Sequence, residues 1–361
     1  MDKDKSDKAA RAQYSAKVRK DFPATLAWGD TRFVKKLSMR YGENPGSPAA
    51  FYEEEGASGP NMASIRVLQE GSKGLSYINV GDMDLGQRLV KKLTDIRRGS
   101  SVCVIVKHEM PSGVALGGSA LEAFHKAWQG DPLSNFGSVD VFNMAVTPDL
   151  AQLLVEPARN IEVVYAPDYA PEALPILAGR KSLRVVRMTV PLADPAVDNG
   201  LEFKRVAGGL LVQKRFESRI VSEDFVDVVS ARRPTPREVA AAILNWTVAC
   251  FTRSNAVVIG LDDKVHGIGS GQRSRIDSAE DAIKFSKRGY GAQGCFMASD
   301  AFMPFPDVVE LAAASGLTGI IYPLGSVRDQ EVIDRANELG LTMLATRKPG
   351  EMDCERCFLH R

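Results

Sequence analysis

Ser101-Val102-Cys103-Val104-Ile105-Val106-Lys107-His108 is a short apolar run, rich in β-branched residues, that ends on two titratable side chains. Gly99 precedes it and Pro111-Ser112-Gly113 follow. Composition and punctuation together predict a buried strand bounded by turns. Lys107 and His108 then stand side by side on a turn at the strand's end, where open α/β sheets carry their chemistry. A basic pair opening a surface loop is the plainer alternative. What lies further along the chain decides between the two.

Outward from this run, strands and helices alternate. Asp82 to Arg98 carries helical apolar spacing through Leu85, Leu89, Val90, Leu93 and Ile96. A helix is expected over Ser119–Trp128, a strand over Val139–Val146, and a helix opened by Thr147 as N-cap with Pro148 at its first position. A strand over Ile161–Tyr165, a helix over Pro171–Ala178 and a strand over Leu183–Val190 follow. Thr235-Pro236-Arg237-Glu238 has the spacing of a capping box and starts a second unit. Its helix is expected to reach Thr252. Ala256–Ile259 and Val265–Ile268 flank Asp262-Asp263 and read as a hairpin. Helices over Ser278–Lys287, Asp307–Ala314 and Val327–Leu339 interleave with the apolar run Gly319–Tyr322. The fold class is α/β with layered units. The expected divisions are an N-terminal arm over 1–34, a first unit over 35–190, an irregular connecting segment over 191–234 and a second unit over 235–361. The element order resembles a duplication, without a residue-level repeat.

At 361 residues the chain can hold two or three cores. It has 46 basic and 45 acidic side chains, a formal net charge of +1. That balance gives no reason to expect nucleic acid or an anionic membrane as partner. No apolar stretch approaches the roughly 20 residues of a membrane span, and no signal core follows the polar start. A cytoplasmic protein is expected. The five cysteines (Cys103, Cys250, Cys295, Cys354, Cys357) do not make a disulfide framework. The lone Cys354-Glu355-Arg356-Cys357 has only His360 nearby to complete about four zinc ligands, so no zinc is expected.

Other clusters carry candidate chemistry. Arg40-Tyr41-Gly42-Glu43-Asn44-Pro45 is a turn headed by a cation and a phenol. Ser254-Asn255 precedes Gly267-Ile268-Gly269-Ser270-Gly271-Gln272-Arg273-Ser274-Arg275, whose alternate glycines let a backbone approach a ligand and whose arginines suit a carboxylate or phosphate. The spacing is neither GxGxxG nor a P-loop. Ser299-Asp300-Ala301-Phe302-Met303-Pro304-Phe305 and Pro323-Leu324-Gly325-Ser326 follow. In this order, and with Ala50-Phe51-Tyr52, Leu75-Ser76-Tyr77, Phe136-Gly137, Ala166-Pro167, Gly208 to Gln213, Arg328-Asp329 and the terminal Arg356, Phe358 and His360, the clusters resemble the aminoimidazole-carboxamide ribotide (AICAR) transformylase domain of the bifunctional purine-biosynthesis proteins. The resemblance covers roughly residues 35 to 361.

That resemblance implies two cytidine-deaminase-like α/β/α layers with a smaller connecting subdomain, and active sites shared across a homodimer. The implied reaction is formyl transfer from 10-formyltetrahydrofolate to the 5-amino group of the ribotide, with a monovalent cation such as K+ as a further ligand to look for. The ribotide amine is conjugated with its ring and must lose a proton as it attacks. Imidazole is the side chain that titrates nearest neutrality, so His108 is the expected base. Lys107 would face the developing negative charge on the formyl oxygen. Asn255 matches the residue that orients the carboxamide. Arg40, Tyr41, Gly137, Glu162, Arg275, Phe302, Arg356 and His360 match ribotide contacts. Ile276, Asp307, Ser326 and Val327, again with Phe302, fall where the family holds the folate.

Three departures from the pattern stand out. Only 39 residues precede Arg40, where the family carries a cyclohydrolase domain, so a monofunctional chain is expected, with a separate protein closing the ring to inosine monophosphate. Gly46-Ser47 and Leu324-Gly325 replace the usual His-Gln and Gly-Gly, and Lys348–Glu355 looks inserted. The rival readings are a ribotide-binding sensor without turnover and the same transfer from another formyl donor. A zinc deaminase is disfavoured, because neither H-x-E nor P-C-x-x-C is present.

Overall fold

The computed structural model describes residues 22–39, 41–44, 46–194, 201–215, 218, 222 and 226–346. Arg40, Pro45, Cys354, Arg356, Cys357 and His360 lie outside them, as does the first part of the expected N-terminal arm. The described part of that arm is a strand, β1 (Thr25–Trp28), which pairs with β2 (Thr31–Met39) and through it with β3 (Ala49–Glu54). The boundary expected after residue 34 therefore falls inside β2. The segment expected to be irregular, 191–234, contains a six-pair antiparallel hairpin, β10 (Leu201–Val206) with β11 (Gly209–Lys214).

All other described strands join one mixed sheet of twelve. The first half runs β4 (Arg66–Gln69), α1 (Tyr77–Ile96), β5 (Ser101–Lys107), β6 (Met110–Gly117), α2 (Ala120–Gly130), β7 (Val139–Phe142), α3 (Pro148–Leu154), β8 (Val163–Ala166), α4 (Ala173–Ala178) and β9 (Arg184–Arg187). The second runs β12 (Asp227–Val228), α5 (Pro236–Ala249), β13 (Val257–Leu261), β14 (Lys264–Gly269), α6 (Arg275–Ser286), β15 (Phe296–Ser299), α7 (Asp307–Ala314), β16 (Gly319–Tyr322), α8 (Asp329–Glu338) and β17 (Thr342–Ala345). The two lists have the same order of strands and helices. The sheet order is also the same in each half when read outward from the centre: β6-β5-β7-β8-β9-β4 and β14-β13-β15-β16-β17-β12. The halves meet where β6 and β14 run antiparallel, at Ala115 opposite Lys264.

Both faces of the central strands are buried, which is why β5 reads as an unbroken apolar run rather than an alternation. Val102, Val104 and Val106 turn to the face covered by α1 and α5, with Leu85, Leu89, Leu93, Leu244 and Val248. Cys103 and Ile105 turn to the other face, under Phe124, Trp128 and Leu150. In the second half Ala282, Val309 and Val332 cover Val257 and Ile259 in the same way. Side chains such as Leu89 each contribute about 1.5–3 kcal/mol on burial. The expected capping box is present: the Glu238 N–H donates to Thr235 Oγ1 at 3.2 Å, and the Thr235 N–H to Glu238 Oε2 at 2.7 Å. Thr147 is the N-cap of α3, but its side chain makes no capping bond.

One expectation about punctuation is overturned. Pro111-Ser112-Gly113 is not a turn but part of β6; the turn is His108-Glu109. Proline is tolerated because the register shifts at Ile105/Val106, a bulge that spares its missing N–H from ladder pairing. Gly113 is there for packing: a Cβ would stand 2.4 Å from the Ala127 carbonyl of α2.

Candidate active site

Strand register lines the expected residues along one rim of the large sheet. Lys107 opposes Met110 at the tip of the β5–β6 hairpin. Val106 opposes Val139, and Val139 opposes Val163, so Gly137 and Glu162 reach the same rim just ahead of β7 and β8. Across the junction Val257 opposes both Gly269 and Ser299. Asn255, the loop after β14 and Phe302 therefore arrive there too. Ala298 opposite Ile321 adds Ser326 and Val327, which follow β16. Because β6 and β14 are antiparallel, the first half offers the N-terminal ends of its parallel strands and the second half the C-terminal ends. Helices α1, α6, α7 and α8 begin at this rim, and their partial positive ends suit an anionic ligand.

In the first half, the Lys107 ammonium donates to the Phe136 carbonyl, beside Gly137. His108 is exposed at the hairpin tip, with φ 54°, and Glu109 follows at φ 57°. The Glu109 N–H donates to Asp82 Oδ1 at 2.6 Å. Asp82 is buried on α1, and burial is the main cause that raises it to about 6. Glu162 accepts from Asn79 Nδ2 at 3.2 Å and lies 3.7 Å from Arg184 Nη1. Deeper in β7, Asp140 is fully buried, accepts from Ser138 Oγ at 2.6 Å and keeps one oxygen without a partner. Burial pushes its carboxyl up to about 7.

In the second half Asn255 is held from both ends. Its Oδ1 accepts from Arg275 Nη2 at 2.8 Å, and its Nδ2 donates to the Gln272 carbonyl at 2.9 Å. Each end still has one hydrogen-bonding position left. Arg275 is not an outward cation: its side chain is 10% exposed, pairs with the buried Asp300 and reaches the Ala256 carbonyl. Arg273 is the exposed cation of that loop. The expectation that Gly267 and Gly269 admit a ligand is corrected. A Cβ at Gly267 would lie 2.1 Å from the Ala282 carbonyl, and one at Gly269 1.8 Å from that of Ser278, so what they admit is helix α6.

Ser270 Oγ donates to Met110 Sδ at 3.1 Å, tying the second half's loop to the strand that leaves the His108 turn. Ile276 is half-buried at the start of α6. Asp307 Oδ1 caps the Val308 N–H at 2.8 Å, Ser326 Oγ accepts the Arg328 N–H at 3.1 Å, and Val327 is fully exposed. Tyr41 is half-buried between β2 and β3, on the separate three-stranded sheet, so the register that aligns the others does not reach it. Two clefts lie elsewhere. One of about 680 Å³ lies between α2 and α3, the other, of about 940 Å³, between the small sheet, α1, α5 and the β10–β11 hairpin; neither is lined by these residues. Among the described residues no group of three or more His, Cys, Asp or Glu is placed to hold a metal ion, and no helix is long and apolar enough to cross a membrane.

Sequence reasoning gave no role to Asp82, nor to Gln272 and Asp300 within the clusters it singled out. A signal for Asp82 existed: it lies on the same helical stripe as Leu85 and Leu89, where a carboxylate is out of place unless it has a task.

A family model described as AICARFT/IMPCHase bienzyme matches residues 5–285. Among solved structures, a putative formate dehydrogenase accessory protein from Desulfotalea psychrophila is 8% identical, with 46% of this chain and 97% of that chain covered at a TM-score of 0.22. That likeness is too slight to carry an argument.

Proposed function

The chain belongs to the AICARFT/IMPCHase bienzyme family, enzymes of purine biosynthesis, and from that premise we propose that it transfers a formyl group from 10-formyltetrahydrofolate to the 5-amino group of AICAR ribotide. The observation that supports this half of the family's chemistry is the Ser270–Met110 bond, which brings the His108 hairpin beside the loop that carries Gln272 and Arg275, the two partners of Asn255.

In this reading the amine nitrogen attacks the formyl carbon and His108 takes the proton the nitrogen loses. Lys107 has three N–H donors, so it can keep the Phe136 carbonyl and still meet the oxygen on which charge develops. Collapse breaks the bond between the formyl carbon and N10 of the folate, and a proton returned to N10 completes tetrahydrofolate. Asn255, steadied by Arg275 and Gln272, presents its remaining donor and acceptor to the carboxamide. Gly137, Glu162 and Phe302 border the ribotide, with Arg40, Tyr41, Arg356 and His360 assigned by resemblance alone. Ile276, Asp307, Ser326 and Val327 border the folate. A homodimer of the kind the family resemblance implies would shelter the site from water. The second oxygen of Asp300 is buried without a hydrogen-bond partner, but Arg275 already balances its charge, so it does not by itself make a site for a monovalent cation such as K+.

The test is tetrahydrofolate release followed by absorbance, with and without ribotide. Ribotide-dependent release is expected. Tight ribotide binding with no release in a single turnover would instead make the chain a sensor, and release only with a different one-carbon donor would replace the folate.

A further inference from the structure

A two-residue hairpin turn with both φ values positive ordinarily falls to Asn-Gly or a similar pair, because a Cβ is disfavoured there. Here the pair is His108 and Glu109. Something outside the turn has to hold it, and α1 supplies a carboxylate for the purpose. Asp82 is 3% exposed, its Oδ1 accepts the Glu109 N–H at 2.6 Å, and the backbone of His108 lies beside the same carboxylate. The charged and titratable groups that face it are His108 and Glu109 on the turn and Glu162 ahead of β8. Glu162 is held in turn by Asn79 and Arg184.

We propose that Asp82 is a positioning residue for His108: its carboxylate pins the left-handed backbone of the turn and thereby aims the imidazole across the rim. This rests on the formyl-transfer reading, with His108 as base. Asp82 itself touches no reactant. Its oxygens offer lone pairs to the turn, an acceptor role that the amide oxygen of an asparagine can also fill. Burial, together with the nearby Glu109 and Glu162 carboxylates, raises its titration to about 6.

Asp82→Ala and Asp82→Asn test this in the full chain, each first checked for folding by thermal unfolding. Asp82→Ala should lower kcat by about 10–100-fold with ribotide KM changed by no more than about threefold. Asp82→Asn keeps an acceptor oxygen and should recover most of that loss. Amide exchange at Glu109 should quicken in Asp82→Ala and stay slow in Asp82→Asn. Asp82→Ala with kcat within about twofold of wild type overturns the proposal, as does an Asn variant no better than Ala. If the wild type releases no tetrahydrofolate, the formyl-transfer reading fails, while exchange at Glu109 still judges the turn, and unchanged exchange in Asp82→Ala sinks this role. If Asp82→Ala does not fold, Asp82→Asn alone decides: slow exchange at Glu109 with most turnover kept supports the role, and quick exchange or lost turnover overturns it.

Discussion

The two central hairpins of the large sheet occupy equivalent places and are held in opposite ways. Each follows a long helix, each turns on two residues, and each is braced from the helix before it. At the first tip, Asp82 of α1 takes the backbone N–H of Glu109, next to His108, which leaves the imidazole exposed. At the second, Arg237 of α5 takes the side chain of Asp262, a residue at φ 57°, through Nε and through Nη2 at 2.6 Å. Bracing through the backbone leaves a side chain available for chemistry; bracing through the side chain uses it up. The equivalence goes further. Gly113 and Gly267 stand the same number of steps past their turns and admit Ala127 and Ala282, at the same step of their helices. Asp140 and Met297 lie opposite the equivalent Ile105 and Ile259.

The sharpest way to break the comparison is at the tips. His108→Ala should lower kcat by about 10²–10⁴-fold with ribotide affinity only modestly reduced, read by tetrahydrofolate release. Near-normal turnover would remove any functional distinction between the tips. Beside it, Lys107→Arg should lower kcat about tenfold or more, since a wide planar fork cannot replace a compact ammonium at a small oxygen.

The Asp140–Met297 difference should show in pH dependence. A carboxyl raised to about 7 in the folded state from an ordinary unfolded value contributes stability fully present below about pH 4, and that contribution is lost as pH rises to about 7. Wild type should therefore lose about 1.4 kcal/mol per pH unit across that window relative to Asp140→Asn, in denaturant titrations. Parallel curves for the two proteins would mean that Asp140 is not charged at a cost. Gly267→Ala and Gly113→Ala should each destabilise by about 1–3 kcal/mol through helix displacement, the former more because its clash is closer; equal stability to wild type would deny the shared packing. Least of all, Asp262→Ala should leave kcat unchanged and move Tm by no more than about 2 °C, as an exposed ion pair should.

How much was readable in advance depended on the range of the interaction involved. The capping box at Thr235–Glu238 and the hairpin around Asp262-Asp263 are local, and both were legible. Gly113 and Gly267 were visible but misread, one as a turn and the other as a ligand approach. Their reason is a helix carbonyl that arrives only when the layers pack. Arg275 was legible as a cation beside Asn255, but its partner Asp300 lies just past β15, brought there by strand pairing.

Element types, their alternation and the Lys107-His108 pair at a strand's end follow from residue order alone, because periodicity, capping and β-branching act over a few positions. Tertiary structure decided that one rim gathers the site, through the antiparallel meeting of Ala115 with Lys264, and that a buried aspartate holds the tip. Those outcomes depend on strand pairing and burial between residues far apart in the chain, which nearest-neighbour patterns do not encode.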